Sequence, residues 1–470
     1  MSIENVKKIH EATMHILEHT GMQFAHPDAQ KILREHGVRM EGDVAHFTEA
    51  QIMEWIGKAP STFLFEGINP KYNVEIGGDN IARGVTIVTN IVDRDGTIRD
   101  ATIEDYLKLQ KLYEANPKIA INGGMTVDPV GIEPYWNDLV LNYASLCHSE
   151  KPLYTAGGNY GQMEAVIELT RTRFGYSVEE LKQHCILAGL ANPNSPLMLT
   201  EEATETILTF GKYNQPVVVC SAAMGGATSP ITVEGTIVTT NAEVIGTLVL
   251  AQMANPGAPV IYGSASTSAD MRTAGIAIGA PESALCIKYC AELARFYGVP
   301  SRAAGCLTDA KAVTPQAVYQ SMMTYVAGRQ NHVNFMLHAA GCMNGYLSTS
   351  FDKLIIDYEI MNYVDAYFDD LHINEETVPL DVIDEVGICG EYLTTDHTLD
   401  NYTEVLVPTY LSVLNSSTDP NDFYKLVDKR TEQLLAAYKK PEIEPAVLEK
   451  LQEQLRARGI PEDVIERCTV

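Results

Sequence analysis

Short apolar runs alternate with helical stretches along the chain from Ile119 onward. Seven of these runs predict β-strands, because each is apolar nearly throughout, as a strand covered on both faces must be. They are IAINGGM (119–125), KPLYTAGG (151–158), HCILAGLANP (184–193), QPVVVCSAAM (215–224), APVIYGSAST (258–267), PSRAAGCL (300–307) and HVNFMLHAAG (332–341). Strands separated by helices of this length pair in parallel through right-handed crossovers.

Seven such repeats predict a protein of the α/β class with a closed, TIM-type (β/α)8 barrel over residues 119–400. The eighth strand is expected either at YLTTDHT (392–398) or at VTIVT (85–89). An open dinucleotide-binding sheet would need GxGxxG after its first strand, and INGGMTVDPVG (121–131) does not provide it. The pattern therefore favours the barrel.

Helical patterns flank the predicted barrel on both sides. Residues 1–80 are expected to form an N-terminal helical cap, whose first two helices end at Gly21 and Gly37. Residues 81–118 form a connecting segment in which a helix begins after Thr102, with Asp105 three residues on. Residues 401–470 return to alternately charged helices and are predicted to form a C-terminal helical extension.

The charge balance excludes several classes of partner. Acidic residues outnumber Lys and Arg 61 to 34, and the formal net charge is -27. Nucleic acids and anionic membranes both require clustered basic residues. No uninterrupted apolar stretch reaches the ~18 residues of a membrane span, and the N-terminus lacks the pattern of a signal peptide. We therefore expect a cytoplasmic protein with no nucleic-acid or membrane partner.

The nine cysteines are scattered singly, and no CxxC pair occurs. Several lie in apolar runs, which is typical of reduced, buried thiols. Cys286 and Cys290 alone share a helix face, and two ligands without a nearby third do not make a zinc site. We predict no metal site.

The carboxyl ends of the predicted strands, where a barrel places its active site, are poor in charged residues. Asp309 and Lys311 are the only acid and base that we assign to these ends, and they also fit a cap for the next helix. A hydrolase would need a pair of carboxylates or an oriented histidine, and a metalloenzyme would need several metal ligands. Neither pattern is visible.

Aromatic and small polar residues line these ends instead. Tyr154, Tyr346 and Phe351 fall in or beside loops that follow strands. Ring faces attract a quaternary ammonium by roughly 0.5 to 2 kcal/mol each when desolvated. We therefore predict that at least one of these three residues belongs to a cation cage. For any single ring, ordinary packing between loop and helix is the alternative.

Four stretches in a fixed order carry a resemblance to a known family. They are GAPESAL (279–285), LTDAKAVTPQA (307–317), NFMLHAAGCMNGYLSTSFDKLIIDYEI (334–360) and YLTTDHTLDNY (392–402). Together with IHEATMHILEHTGMQF (9–24) and RDGTIRDATIEDYLKL (94–109), their order resembles the trimethylamine methyltransferase superfamily of corrinoid-dependent enzymes. The resemblance covers nearly the whole chain.

This resemblance implies a barrel that transfers a methyl group from an amine to the cobalt of a separate corrinoid protein. Members that act on trimethylamine carry pyrrolysine, whereas this chain contains only the twenty standard residues. It is similar to the members that lack pyrrolysine, whose substrates are quaternary amines such as glycine betaine, proline betaine, carnitine and γ-butyrobetaine. Trimethylamine is therefore expected to be a poor substrate.

The implied reaction needs little acid–base chemistry, because cob(I)alamin is a strong nucleophile and the leaving amine is neutral. We expect no general acid or base and no tightly bound cofactor, since the partner protein supplies the cobalamin. The predicted substrate-binding residues are His338, Tyr154, Tyr346, Phe351, Asn122 and Ser264. Assembly into a homo-oligomer stays open. The alternatives are a non-catalytic betaine-binding protein and a barrel lyase that uses Lys311 for a Schiff base.

His338 lies near the end of the seventh predicted strand. Strand alternation places Asn334, Met336 and His338 on one face and Phe335 and Leu337 on the other. We assign the more polar first face to the barrel interior. His338 would then hydrogen-bond a betaine carboxylate, and the alternative is a histidine satisfied within the core.

Overall fold

The computed structural model describes residues 3–403, 409–412 and 418–470. Eight parallel strands form one sheet. We label them β1 (Ala82–Arg83), β2 (Asn122–Gly123), β3 (Leu153–Tyr154), β4 (Leu187–Ala191), β5 (Val217–Ser221), β6 (Val260–Ser264), β7 (Ser301–Ala304) and β8 (Phe335–Leu337). All seven strands predicted from apolar runs are present.

The sheet closes on itself through its first strand. β1 pairs with β8, and Gly84 just after β1 pairs in parallel with Ile121 just before β2. The backbone N–H of Ile121 donates to the carbonyl of Arg83 at 3.0 Å. The closed ring confirms the (β/α)8 barrel.

The position of the eighth strand differs from both predicted positions. β1 lies just before VTIVT, inside the predicted connecting segment 81–118, so the barrel sheet begins earlier than residue 119. YLTTDHT forms a turn followed by a short helix whose residues are exposed or half-buried. Leu393, in the middle of the apolar part of this stretch, is 74% exposed. The stretch 392–398 is therefore not a buried barrel strand.

A helix follows each barrel strand, and after β1 to β7 it returns the chain to the next strand. These helices are α4 (Ile103–Ala115), α5 (Asn137–His148), α6 (Tyr160–Phe174), α7 (Val178–Leu181), α8 (Glu201–Lys212), α9 (Val233–Ala254), α10 (Pro281–Tyr297), α11 (Pro315–Gln330) and α12 (Phe351–Phe368), with α7 an additional short turn. As predicted, α4 begins with a capping box between Thr102 and Asp105.

The N-terminal region is mixed rather than purely helical. It contains α1 (Ile3–His15), α2 (Pro27–Glu35), α3 (Glu49–Ile56) and a π-helical turn at Ile16–Thr20. It also adds strands Met22–Phe24, Arg39–Glu41 and Val44–His46, which join Met198–Leu199 in a four-stranded sheet. A hairpin of Thr62–Phe65 and Val74–Gly77 buries Phe65 and Ile76 against the barrel interior, and thereby closes its amino-terminal end.

Small sheets, short turns and further helices complete the described part of the chain. Strands Met224–Gly225, Thr267–Asp270 and Gly275–Ile276 form one sheet, and Cys342–Met343, Ser348–Thr349, Asn90–Val92 and Ile98–Asp100 form another. Short 3-10 turns occur at Pro70–Tyr72 and Pro134–Trp136. After α13 (Leu380–Val386) and α14 (Asp396–Asn401), the chain ends in α15 (Pro420–Ala437), α16 (Pro445–Arg456) and α17 (Glu462–Thr469).

Helix α9 is long and apolar enough to cross a membrane by length and composition alone. In the structure, however, 89% of its apolar window is buried inside the protein. It packs against β5 and β6 on one side and α1 and α3 on the other. The apolar character of α9 is therefore accounted for by its burial in the core.

Candidate active site

A cleft opens at the carboxyl ends of the barrel strands. Its atom-free space is about 470 Å³, including the part open to solvent. Its lining residues come from β4, β5, β7 and from the loops after β1, β4, β5, β6 and β8: Ile87, Leu190, Asn192, Cys220, Ala222, Ala265, Arg302, His338 and Tyr346. This is the end at which barrel enzymes carry out their chemistry.

His338 reaches this cleft, but not by the alternation that the sequence suggested. Phe335 and Leu337 belong to the cluster inside the barrel, whereas Met336 packs into the outer core beside the helices. The predicted assignment of the two faces was therefore reversed. His338 has φ 48°, in the left-handed region, and this break in the strand turns its side chain back into the mouth.

The hydrogen bonds of His338 define its protonation state. The backbone N–H of Ile87 donates to Nδ1 at 3.3 Å, and Thr86 Oγ1 lies 3.1 Å from the same nitrogen. Because Nδ1 accepts, the ring proton lies on Nε2. Burial, and then the Arg302 guanidinium, hold the pKa of His338 well below its usual range. The ring is thus a neutral N–H donor near pH 7.

Arg302 brings an unpaired positive charge into the same cleft. It lies in β7, is 3% exposed, and donates from Nη1 to Cys220 Sγ at 3.2 Å and to the carbonyl of Ser264 at 3.3 Å. Across residues 3–403, 409–412 and 418–470, no carboxylate oxygen lies within the 4.0 Å that defines an ion pair with it. Since burial raises the pKa of the Cys220 thiol, that neighbour does not neutralise the charge.

Within the described residues, two buried hydrogen-bond donors that face the barrel interior lack an acceptor. They are Nε of Arg302 and the hydroxyl of Tyr154. Buried donors of this kind each cost roughly 1 to 3 kcal/mol unless a partner arrives, and more when the group is charged. The pair therefore favours an anionic ligand group at this depth.

The three residues among which a cage member was predicted lie in three different places. Tyr346 lines the cleft, with its ring centroid 5.0 Å from that of His338. Tyr154 lies within the barrel, where its ring contacts Phe335 at 5.5 Å. Lys108 Nζ lies 4.0 Å from the centroid of the Phe351 ring, and Phe351 lines a separate surface cleft. The mouth therefore offers one aromatic face rather than a closed cage.

Asn122 and Ser264 have no side chain in the lining of the cleft. Both alternate with residues that face the interior, since Ile121 and Ile261 belong to the barrel cluster. Ser264 Oγ accepts from the N–H of Ser266, and only its carbonyl oxygen meets Arg302. Asn122 Oδ1 accepts from Gly123 N.

Asp309 and Lys311, the two charged residues predicted at strand ends, are not among the residues that line the cleft. The Asp309 carboxylate accepts backbone N–H groups of Ile278 at 2.7 Å and Gly279 at 3.0 Å, and so fixes the loop before α10. Lys311 is exposed. Groups of three or more metal-ligating side chains are absent from the described part of the chain.

The loop from His338 to Tyr346 is held in an unusual conformation. His338, Asn344 and Tyr346 all have positive φ angles although none is glycine, and the Gly341 N–H donates to Asp357 Oδ2 at 2.7 Å. Asp357 in turn pairs with Lys353, and both side chains are fully buried. Such strain is retained where the surroundings impose it, which is common at functional sites.

Arg302 is the residue that the sequence reasoning missed. A strand was predicted at PSRAAGCL, but its single charged residue was not considered as a site residue. One arginine inside an otherwise apolar barrel strand was the available signal, because an arginine is almost never buried without a partner.

Comparison with known proteins gives a consistent result. A family model described as trimethylamine methyltransferase (MTTB) matches residues 1–460. The chain belongs to this methyltransferase family. The glycine betaine methyltransferase of Desulfitobacterium hafniense (strain Y51) is 36% identical over 466 residues, which are 97% of this chain and 96% of that relative.

Two further comparisons give lower identities. The trimethylamine methyltransferase MttB of Methanosarcina barkeri (strain Fusaro / DSM 804) is 30% identical over 411 residues, 84% of this chain and 81% of the relative. Among solved structures, the Methanosarcina barkeri monomethylamine methyltransferase (MtmB) covers 92% of this chain and 87% of its own, with 11% identity and a TM-score of 0.48. The barrel assignment rests on the closed sheet itself.

Proposed function

We propose that this chain transfers a methyl group from a carboxylate-bearing quaternary amine, of betaine or carnitine type, to the Co(I) of a separate corrinoid protein. The observation that carries the proposal is the buried, unpaired Arg302 guanidinium in the mouth of the barrel. A planar guanidinium matches a carboxylate in shape and charge, and the pair gains strength in a buried site.

The charge of Arg302 also selects against simple cations. A trimethylammonium or tetramethylammonium ion placed in the cleft would meet an uncompensated positive charge. A betaine directs its carboxylate to Arg302 and keeps its ammonium at the other end, beside the ring of Tyr346. The Nε2–H of His338 is available as a second donor to the carboxylate.

The residues of the cleft would bind and orient rather than exchange protons. No Asp or Glu is among the lining residues of the cleft, and His338 is held neutral. The partner's corrinoid supplies the nucleophile, which takes the methyl carbon while the C–N bond electrons stay on the departing tertiary amine. Since that amine leaves neutral, positioning and exclusion of water suffice for the displacement.

The mouth suits an acceptor that arrives from outside. Ala222 and Ala265 line the cleft with side chains that end at Cβ, so these positions leave it open. Arg302 holds the substrate tail from the interior side, which leaves the methyl groups directed at the opening. A large planar acceptor can therefore approach without entering the barrel.

Methylation of free cob(I)alamin, followed by its visible spectrum, tests the proposal. Glycine betaine, proline betaine, carnitine and γ-butyrobetaine form one panel, and trimethylamine and tetramethylammonium form the control panel. We expect transfer from at least one carboxylate-bearing amine and slow transfer from both controls. Rapid transfer from trimethylamine alone would contradict the proposal.

The two alternative functions have less support. A Schiff-base lyase would need a lysine in the cleft, and Lys311 is exposed and outside the lining residues. A betaine-binding protein without catalysis would share the cleft but not the membership in a methyltransferase family. Absence of all methyl transfer, together with tight betaine binding, would favour that alternative.

A further inference from the structure

A fully buried carboxylate lies behind the wall of the cleft. Glu243, in the middle of α9, is 0% exposed and is not among the residues that line the cleft. Within the described residues, no Lys, Arg or His nitrogen lies within 4.0 Å of its carboxylate oxygens. A carboxylate buried without a cation is costly unless hydrogen bonds satisfy it. Its hydrogen-bond donors therefore indicate what it does.

Three donors from two segments converge on the Glu243 carboxylate. Ser221, the last residue of β5, donates its hydroxyl to Oε2 at 2.5 Å. Ser195 donates its hydroxyl to the same oxygen at 2.8 Å, and the backbone N–H of Leu197 donates to Oε1 at 2.9 Å. Ser195 and Leu197 belong to the loop after β4. The carboxylate therefore joins that loop to the end of β5.

The two segments that Glu243 joins supply one wall of the cleft. Asn192, in the loop after β4, lines this wall. Cys220 lines it as well, and its Sγ accepts a hydrogen bond from Arg302 Nη1 at 3.2 Å. Since Cys220 and Ser221 are adjacent in β5, a shift of Ser221 moves the acceptor that orients Arg302.

Helix α9 gives this contact a rigid support. It is 22 residues long and packs against β5 and β6. Thr240 lies three residues before Glu243, on the same helix face, and donates to Ser266 Oγ at 2.7 Å. Ser266 Oγ in turn accepts the backbone N–H of Ala223 at 2.9 Å. This face of α9 therefore holds the loops after β5 and β6 as well.

We propose that Glu243 is a positioning residue for methyl transfer: its hydrogen bonds fix the loop after β4 and the end of β5, and through Cys220 they set the direction of the Arg302 guanidinium. This role rests on the proposed function, in which Arg302 binds the substrate carboxylate. Pairing of a guanidinium with a carboxylate depends on alignment. Loss of the Glu243 contacts should therefore weaken binding of a carboxylate-bearing amine and leave tetramethylammonium binding unchanged.

Two substitutions at Glu243 separate its hydrogen bonds from its burial. Glu243→Met has a similar length and accepts none of the three hydrogen bonds. Glu243→Gln keeps an oxygen for the Leu197 N–H and an amide that can donate to both hydroxyls. Glu114→Met is the matched control, because Glu114 is another buried carboxylate and accepts from Ser149 Oγ at 2.6 Å, on the amino-terminal side of β3.

Isothermal titration calorimetry with glycine betaine, carnitine and tetramethylammonium measures the effect on binding. Glu243→Met should raise the dissociation constant of the betaine that the parent binds by about tenfold, because a hydrogen bond to a charged group is misaligned. Tetramethylammonium should stay within about twofold of the parent. Glu243→Gln and Glu114→Met should stay within about threefold for every ligand.

The Cys220 thiol reports the state of the wall without any substrate. Cys220 is 3% exposed, so its modification requires the wall to open. Cys389 is exposed and serves as the internal control. Methyl methanethiosulfonate and peptide mass spectrometry give the rate at each thiol. Cys220 should react on the order of tenfold faster in Glu243→Met than in the parent, Glu243→Gln or Glu114→Met, and Cys389 should react equally in all four.

The proposal is overturned if Glu243→Met leaves either the betaine affinity or the Cys220 rate at the parent value. Equal losses for betaine and tetramethylammonium, or an equal loss in Glu243→Gln, would also overturn it. If Glu243→Met does not fold, Ser195→Ala with Ser221→Ala removes two of the donors and should change the same two quantities in the same direction. A parent that binds no carboxylate-bearing amine, with a Cys220 rate that still depends on Glu243, would overturn the proposed function but not the role of Glu243 in the wall.

Discussion

Replacement of Arg302 by Met should separate the affinity for a betaine from the stability of the fold. The guanidinium is buried, has no carboxylate partner in the described residues, and leaves Nε without an acceptor. Met has a similar length and removes the charge. The substitution therefore deletes the proposed carboxylate anchor without deleting a native ion pair.

The substitution is expected to lower the affinity for a betaine without lowering the free energy of unfolding. Loss of one partner from a buried, hydrogen-bonded charge pair costs roughly 2 to 5 kcal/mol, so betaine affinity should fall about 30-fold or more. Removal of an unpaired buried charge relieves a desolvation cost that exceeds the weak contacts to Cys220 and Ser264. The free energy of unfolding should therefore stay the same or rise.

Tetramethylammonium should respond in the reverse direction to a betaine. Two like charges about 6 Å apart repel by about 3 kcal/mol at an effective dielectric constant of about 20. The variant lacks this repulsion, so its affinity for tetramethylammonium should increase. The preference for a betaine over tetramethylammonium should thus shrink by two effects at once.

Isothermal titration calorimetry with glycine betaine and tetramethylammonium measures both affinities, and thermal unfolding measures the stability. Arg83→Met is the matched control, because Arg83 lies in β1 and is already paired with Asp365 at 2.7 Å. The control should lose stability and keep the ligand preference. If Arg302→Met loses affinity equally for both ligands, or for neither, Arg302 is not the carboxylate anchor.

Three further outcomes follow from the structure. His338→Ala should weaken betaine binding more than tetramethylammonium binding, measured by the same titrations, and equal losses would exclude a carboxylate role for Nε2. Phe351→Leu should leave betaine affinity within about twofold of the parent, because its ring lies under Lys108 outside the cleft; a tenfold loss would place it in the site. Burial raises the pKa of Asp138 to about 6 from its usual 3.8, so its stabilising contribution is full below pH 3.8 and is lost as pH rises through 6. The difference in unfolding free energy between the parent and Asp138→Asn should therefore fall by about 3 kcal/mol from pH 3.8 to pH 7, and a constant difference in urea titrations would contradict the shift.

The strand–helix rhythm of the barrel could be predicted from sequence because it is a local property. A strand covered on both faces must be apolar along its whole length, and all seven runs with that pattern became barrel strands. This pattern did not predict β1, because β1 consists of only two residues, Ala82 and Arg83, and Arg83 is charged. Its place in the sheet depends on pairing with β8, which is distant in sequence.

The composition of the site was predicted in part for the same reason. The scarcity of acids and bases at strand ends is visible in the chain itself, and it agrees with the reaction that the family resemblance implies, which needs no proton transfer. His338 was selected correctly as a residue near the mouth, although through a reversed assignment of strand faces. Its left-handed backbone angle, which turns the ring into the cleft, has no local signature in the sequence.

Only the tertiary structure decided which side chains share one space. Tyr346 and Phe351 are five residues apart, yet Tyr346 lines the cleft and Phe351 lies beside Lys108, because Tyr346 belongs to the loop and Phe351 is the first residue of α12. Arg302, Cys220 and the Ser264 carbonyl come from three different strands and meet because β5, β6 and β7 are neighbours in the closed sheet. Whether a buried arginine has a carboxylate partner depends on every element packed around it, so only the tertiary structure could show that no carboxylate of the described residues pairs with Arg302.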